Sequence, residues 1–436
     1  MSQLRRLVGV RGLALSMVSL VVGAGIFGLP AFAARTLGPA AVFGYLACIL
    51  LLALMGLCLA EAGSRVPDAG GIYGYTTAAY GPLAGAIAGH LLWFANGAVA
   101  NAAVAVLMVD TLGALVPVFT TPIPRFAVLL GYYIILATIN VRGTRYGLGL
   151  TQWSTAIKIA PLVLLVALGV PHIHLANLRI TTWPHPAAVE HTAVLLFFAF
   201  TGFESGLSMS GEIVAPERTV PRALLLALSM VAILYLGLQF VAQGVLGPAL
   251  ATAGDTPLVA TALAAFGPVG QTFIVVATLF STAGLLAADI LASPRALYAL
   301  GRSGALPSVM GRVHPRFDTP AVAVITYTTI CAILACSGTF RSLAALGASG
   351  TLCLYLLCCT GLVFLRQRGV GNARRPFVVP GGITVPVLAT LAICLVLTGL
   401  DWSDFILLGA TLVVIVVLSF VRRGAMRVES ADALAG

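Results

Sequence analysis

The chain has 436 residues, 60% of them apolar and only 9% charged, where a soluble domain carries about a quarter charged residues. So little charge cannot clothe one large water-soluble domain or several, which excludes an ordinary soluble globular fold. The net charge of +10 does not point to nucleic acid, because the basic residues punctuate apolar runs instead of forming stripes beside polar or aromatic platforms.

Apolar stretches long enough for a bilayer, about 20 residues each, fall near residues 13–33, 39–60, 83–109, 126–140, 149–170, 191–211, 222–244, 269–292, 320–337, 343–365, 383–400 and 403–421. This pattern predicts an all-α membrane protein with twelve crossings. The first stretch is expected to be a retained span, since its apolar run is long and lacks a cleavage-like site. Gly38-Pro39, Gly81-Pro82, Pro171, Gly267-Pro268, Pro320 and Pro380 mark breaks between spans. All eight cysteines lie in or beside apolar runs, as small buried hydrophobes do, and indicate no disulfide framework. With the N-terminus inside, 19 arginines fall on the cytoplasmic side and four (Arg35, Arg125, Arg179 and Arg341) outside. The positive-inside rule therefore places both tails, 1–12 and 422–436, in the cytoplasm.

Two spans have the marks of discontinuous helices. The first packs Gly23, Gly25 and Gly28 ahead of Pro30, and the sixth is interrupted at Thr201-Gly202, with Glu204 two residues on. A close helix contact explains such glycines equally well. Gly23 and Gly202 stand 179 residues apart, each in the first helix of a block of five spans, which suggests a weak repeat of 13–170 in 191–365, with 383–421 supplying two further helices. Paired interruptions of this kind point to a midplane site built from broken helices. Unwinding frees N–H groups at a new helix N-terminus and carbonyls at a new C-terminus. An amino acid zwitterion suits both: its carboxylate the N–H groups around Ala24, Gly25 and Ile26, its ammonium the carbonyls around Val21, Phe200 and Thr201. Such backbone survives in hydrocarbon when it lines a protein cavity.

Lys158, in the fifth span, is the only lysine in the chain. An intramembrane ionisable group is a functional candidate, here for reversible proton uptake or as a fixed cation in place of sodium; snorkelling to the interface is the structural alternative. Glu204 could line the route, answer proton concentration or hold the unwound segment by hydrogen bonds. Asp289 and Asp110 stand near helix ends, where water is expected. Ser281 and Thr282 offer hydroxyls on the eighth span, or ordinary helix-to-helix hydrogen bonds. Trp93, Phe94, Asn96 and Asn101 could shape a side-chain pocket or pack as core. The histidines before the sixth span lack the spacing and acidic company of a metal site, and no span holds a nucleophile beside a His or carboxylate partner. Neither an enzyme nor a cofactor is expected.

The motifs VVGAGIFGLPA (21–31), VPDAGGIYGYTTAAYGP (66–82), FAFTGFESGLSMSGEIVAPERTVPRAL (198–224) and SPRALYALGRSGALPSVMGRVHPRFDTP (293–320) resemble, in order, those of the amino acid–polyamine–organocation family of permeases. The motif at 66–82 is similar to the loop between the second and third helices, and that at 293–320 to the loop leading into the ninth. The resemblance implies a leucine-transporter-like fold of two inverted five-helix repeats plus two C-terminal helices, moving an amino acid or related amine by alternating access. It implies a carboxylate cradle at Gly23, Ala24, Gly25 and Ile26, and an amine-facing strand at Phe200, Thr201 and Gly202, with Phe200 at the aromatic position that covers substrate. Glu204 matches the acid after the sixth-helix break. Lys158 resembles the lysine of sodium-independent members, so sodium coupling is not expected. With few acids in the spans, a neutral amino acid is preferred over a cationic amino acid or polyamine exchanged by an antiporter; a channel or receptor is the alternative class. Proton symport, exchange and export all remain open, as do monomer and homodimer, and a bacterial inner membrane is the expected location.

Overall fold

The structure is a computed structural model and describes residues 8–66, 71–142, 150–204, 213–302, 304, 306–371 and 376–435. Among these residues all regular structure is helical, and one isolated bridge joins Val8 to Ile213. Helix is what apolar runs of Leu, Ala and Val must form in hydrocarbon, where each segment has to satisfy its own backbone groups.

The first apolar stretch forms two helices, α1 (Val10–Val21) and α2 (Ala24–Leu37), separated by Val22 and an extended Gly23. Next comes α3 (Ala41–Arg65). The segment 66–82, expected as a loop, is largely helical: α4 spans Gly71–Tyr80. It holds neither proline nor charge from 71 to 80, and it docks on a later helix through Tyr80, whose hydroxyl donates to Thr360 at 2.6 Å. Helix α5 (Pro82–Leu91) continues through a π-helical stretch, Leu92–Val99, into α6 (Ala100–Gly113). The chain then forms α7 (Pro122–Arg142), α8 (Leu150–Gly169) and α9 (Pro186–Ala199).

The second part comprises α10 (Pro216–Leu246), α11 (Pro257–Ala292), α12 (Pro294–Arg302), α13 (Ala321–Ser337), α14 (Phe340–Gln367), α15 (Thr384–Leu397) and α16 (Trp402–Ala435). Helix α11 begins well before the expected 269. It bends at Gly267, whose φ of 70° suits glycine, and resumes at Pro268, where a missing N–H is harmless.

Among the described residues, seven helical stretches are long and apolar enough to cross a membrane: Ala24–Arg65, Pro82–Gly113, Pro122–Arg142, Glu217–Thr252, Pro257–Arg302, Phe340–Gln367 and Trp402–Phe420. Five shorter apolar helices accompany them. The outer surface exposes Ile123, Ile135, Ile233, Val269, Phe280, Leu391 and Val413. An apolar exterior of that extent suits hydrocarbon rather than water. Inside, α10 packs on α1 and α3, α11 on α6 and α8, and α14 on the π-helical stretch. These contacts bring the break in the first apolar stretch, the end of α9, the π-helical stretch and α11 around one interior space.

Candidate functional site

The break at Gly23 leaves α2 with an open N-terminus. No side chain caps it, so the N–H groups of its first turn have no intrahelical acceptor. On the other side, α9 stops at Ala199; Phe200 and Thr201 donate back to the carbonyls of Phe197 and Phe198, and Gly202 takes φ 114°. A cavity of about 180 Å³ lies against both breaks, lined by Gly23, Ala24, Gly25, Thr201 and Gly202, and closed by α6 and α11.

The two breaks touch. A Cβ on Gly25 would stand 2.4 Å from Ala199 Cα, and one on Gly202 would stand 2.7 Å from the Leu20 carbonyl oxygen. The glycines thus serve close packing as well as the break, and the two readings of Gly25 offered by its sequence context coexist. Tyr235 of α10 joins the same junction. Its hydroxyl lies 3.1 Å from the Val21 carbonyl and 2.9 Å from that of Ala199, the terminal carbonyls of α1 and α9. One proton is shared between two helix ends that would otherwise be buried without a donor.

Glu204 is buried but does not line the cavity. Its carboxylate accepts from the Gly202 amide at 3.0 and 3.1 Å, from Asn96 Nδ2 at 2.5 Å and from the Tyr355 hydroxyl. Asn96, carried on the π-helical stretch, also donates to Thr351 at 3.3 Å. This network ties the chain after the α9 break to the π stretch and to α14.

Asp289 faces the cavity with Asn101 and Ser293. Although it stands near a helix end, where water was expected, it accepts from Asn101 Nδ2 at 2.7 Å, Tyr327 Oη at 2.6 Å and Ser293 Oγ at 2.5 Å. Asn101 in turn accepts from Tyr133 at 2.8 Å. Asp110 is paired with Arg125.

The remaining candidates stand off the cavity. Phe200 is buried between Tyr45 and Tyr235, with ring centroids 6.3 and 5.0 Å away, and the aromatic ring on the cavity wall is Phe198. Ile26 is buried one residue beyond the lining. Thr282 donates to the Thr278 carbonyl of its own helix at 2.7 Å, whereas the buried Ser281 hydroxyl has no partner among the described residues. Lys158 is 6% exposed and forms no hydrogen bond or ion pair among the described residues. Its Cε lies 3.8 Å from where a Cβ on Gly284 would sit, next to the cavity-lining Leu285. Tyr235, Tyr355 and Phe198 do not stand out in the sequence; a tyrosine in an apolar helix carries no local sign of which buried acceptor its hydroxyl meets.

Known proteins align with this chain along most of its length. It is 26% identical over 412 residues to the serine/threonine exchanger SteT of Bacillus subtilis, covering 91% of this chain and 89% of the relative. It is 28% identical over 410 residues to the branched-chain amino acid permease BcaP of Lactococcus lactis, covering 88% and 87%. A methylthioribose transporter of Bacillus subtilis is 26% identical over 424 residues, covering 93% and 91%. A family model described as amino acid permease matches residues 8–421, and with its many apolar helices this multi-pass membrane protein belongs to the amino acid permease family.

Proposed function

We propose that the chain is a secondary transporter that carries a neutral amino acid across the cell membrane by alternating access, with both termini in the cytoplasm. The twelve crossings form two inverted five-helix repeats, 13–170 and 191–365, followed by the two helices of 383–421. Substrate is held in the cavity between the two breaks: its carboxylate meets the open N-terminus of α2 at Ala24 and Gly25, and its ammonium meets carbonyls near Thr201. The observation that carries this reading is the meeting of two interrupted helices at one cavity, with uncapped N–H groups on its wall.

Relatives named for serine, threonine and branched-chain amino acids support a neutral substrate. The cavity wall agrees, because it is mostly apolar. A cationic substrate is the second reading, favoured by the Asp289 carboxylate on that wall. It ranks second because three donors already occupy that carboxylate. Lys158, a buried cation beside the helix that lines the cavity, stands in for a coupling sodium, and transport is proton-linked or exchange-type.

Uptake and counterflow in liposomes, with a panel of labelled amino acids under imposed proton or sodium gradients, test this. The expected result is saturable flux of a neutral amino acid that is unchanged when choline replaces sodium. Sodium-dependent flux would overturn the role given to Lys158, and a panel without saturable flux would return the chain to the channel or receptor class.

A further inference from the structure

A second, larger cavity of about 480 Å³ lies far along the chain from the breaks, where the ends of α7 and α11 meet the start of α12 and the loop into α13. Three arginines from three separate elements stand around it: Arg142 at the end of α7, Arg295 in the first turn of α12 and Arg316 in the loop. One carboxylate, Asp318, shares the lining, which leaves two net positive charges. No ion pair engages any of the three guanidinium groups among the described residues. Arg295 donates to the Leu291 carbonyl of the preceding helix, and Arg316 lies 5.5 Å from the centre of the Phe317 ring.

The rim is held in place by hydrogen bonds. Thr319 Oγ1 donates to the Val141 carbonyl at 2.7 Å, tying the loop to the end of α7. Within the loop, His314 N–H donates to Thr319 at 2.8 Å and Asp318 N–H returns to His314 at 3.0 Å. Three arginines around one hydrogen-bonded rim supply donors of the kind that phosphate oxygens accept, and a guanidinium can bind such oxygens through paired parallel hydrogen bonds.

We propose that this cavity binds a phosphate-bearing headgroup, and that the ligand is an anionic phospholipid of the surrounding leaflet. The apolar surroundings favour a lipid over free phosphate. Helices α7 and α13 pack side by side, and their outer faces beginning at the cavity expose Ile135, Ile139 and Ile325, a surface for acyl chains running from the headgroup. The arginine-rich face is the one assigned to the cytoplasm by the positive-inside rule, the side on which basic pockets between helices meet anionic lipids. The site is independent of which amino acid is carried.

Native mass spectrometry of the full chain released from detergent, after addition of phosphatidylglycerol or phosphatidylcholine, tests the assignment. At about fivefold per net charge, phosphatidylglycerol should be retained roughly thirtyfold better than phosphatidylcholine. R142A/R295A/R316A should abolish that preference, and R142K/R295K/R316K, which keeps the charge but loses the paired hydrogen bonds, should retain only part of it. R295A and R316A alone should each weaken retention by about fivefold, which preserves the test if the triple variant does not fold. Persistence of the bound lipid in excess inorganic phosphate supports the lipid; displacement by inorganic phosphate would overturn the lipid and assign the pocket to a soluble phosphate. Equal retention of the two lipids, or undiminished preference in folded alanine variants, would overturn the site altogether.

Discussion

Tyr235 places one hydroxyl between the last carbonyls of α1 and α9, so its replacement separates the junction's chemistry from its packing. Tyr235→Phe keeps the ring against Phe200 and removes the donor. The expected cost is about 1–3 kcal/mol, the penalty for a buried acceptor left unpaired, visible as a lowered melting temperature in detergent with reduced flux; an unchanged melt would mean that water or substrate satisfies those carbonyls. Glu204 offers a sharper case, because every group facing its carboxylate is a donor. Glu204→Gln turns one amide N–H₂ toward donors and is expected to lower both stability and flux. Adding Tyr355→Phe removes one opposing donor and should restore part of the loss, with a coupling of about 0.5–3 kcal/mol in a double-mutant cycle. Strict additivity of the two changes would contradict the network.

At the scale of elements, the close contact between the start of α2 and the end of α9 sets what the helices tolerate. Gly25→Ala would place its Cβ 2.4 Å from Ala199 Cα and 2.9 Å from Ala199 N, forcing the helices apart at a cost of about 1–3 kcal/mol or more. Ala199→Gly should not rescue it, since the clash is with backbone as well as with the Ala199 methyl. Gel filtration of detergent extracts reads the outcome as lost monodisperse protein, and full rescue would show that only side chains meet there. The first break is legible in the sequence, because clustered glycines before a proline are costly in a continuous helix, and the second through Thr201-Gly202 interrupting an apolar run. The π-helical stretch 92–99 is not legible, since the Asn96-Gly97 pair in LWFANGAV reads as a turn signal whereas the helix widens there without ending; Asn96 meets Glu204 from a distant segment. Helix α4 escapes sequence reading for a related reason: its support comes from Thr360, 280 residues away from Tyr80.

Across the whole molecule, the cavity between the breaks is one of several places where distant segments are tied. At the face assigned to the cytoplasm, Glu61 of α3 is fully buried and accepts from Arg65, from Arg366 of α14 at 2.8 and 2.5 Å, and from the Val379 amide at 2.8 Å. That knot joins α3 and α14 to the segment before α15. Glu61 draws no notice in the sequence, where it is one acid near a helix end, whereas Lys158 stands out as the lone lysine. Scarcity makes a residue visible in a sequence, but partners decide what it does, and partners are set by helix rotation and packing. The arginine tally bears on large-scale orientation because it sums over many loops, while each site residue depends on a few ångströms.

Transported substrate is proposed to occupy the space between the two breaks. Ala288 lines that cavity and is exposed to it, so A288C in a C394S background, where the exposed native thiol is removed, provides a reporter in proteoliposomes. The rate of its modification by a small water-soluble maleimide should fall in the presence of an amino acid that the protein transports and should be unaffected by one that it does not. Equal modification rates with and without saturating transported substrate would contradict a site at the paired helix breaks.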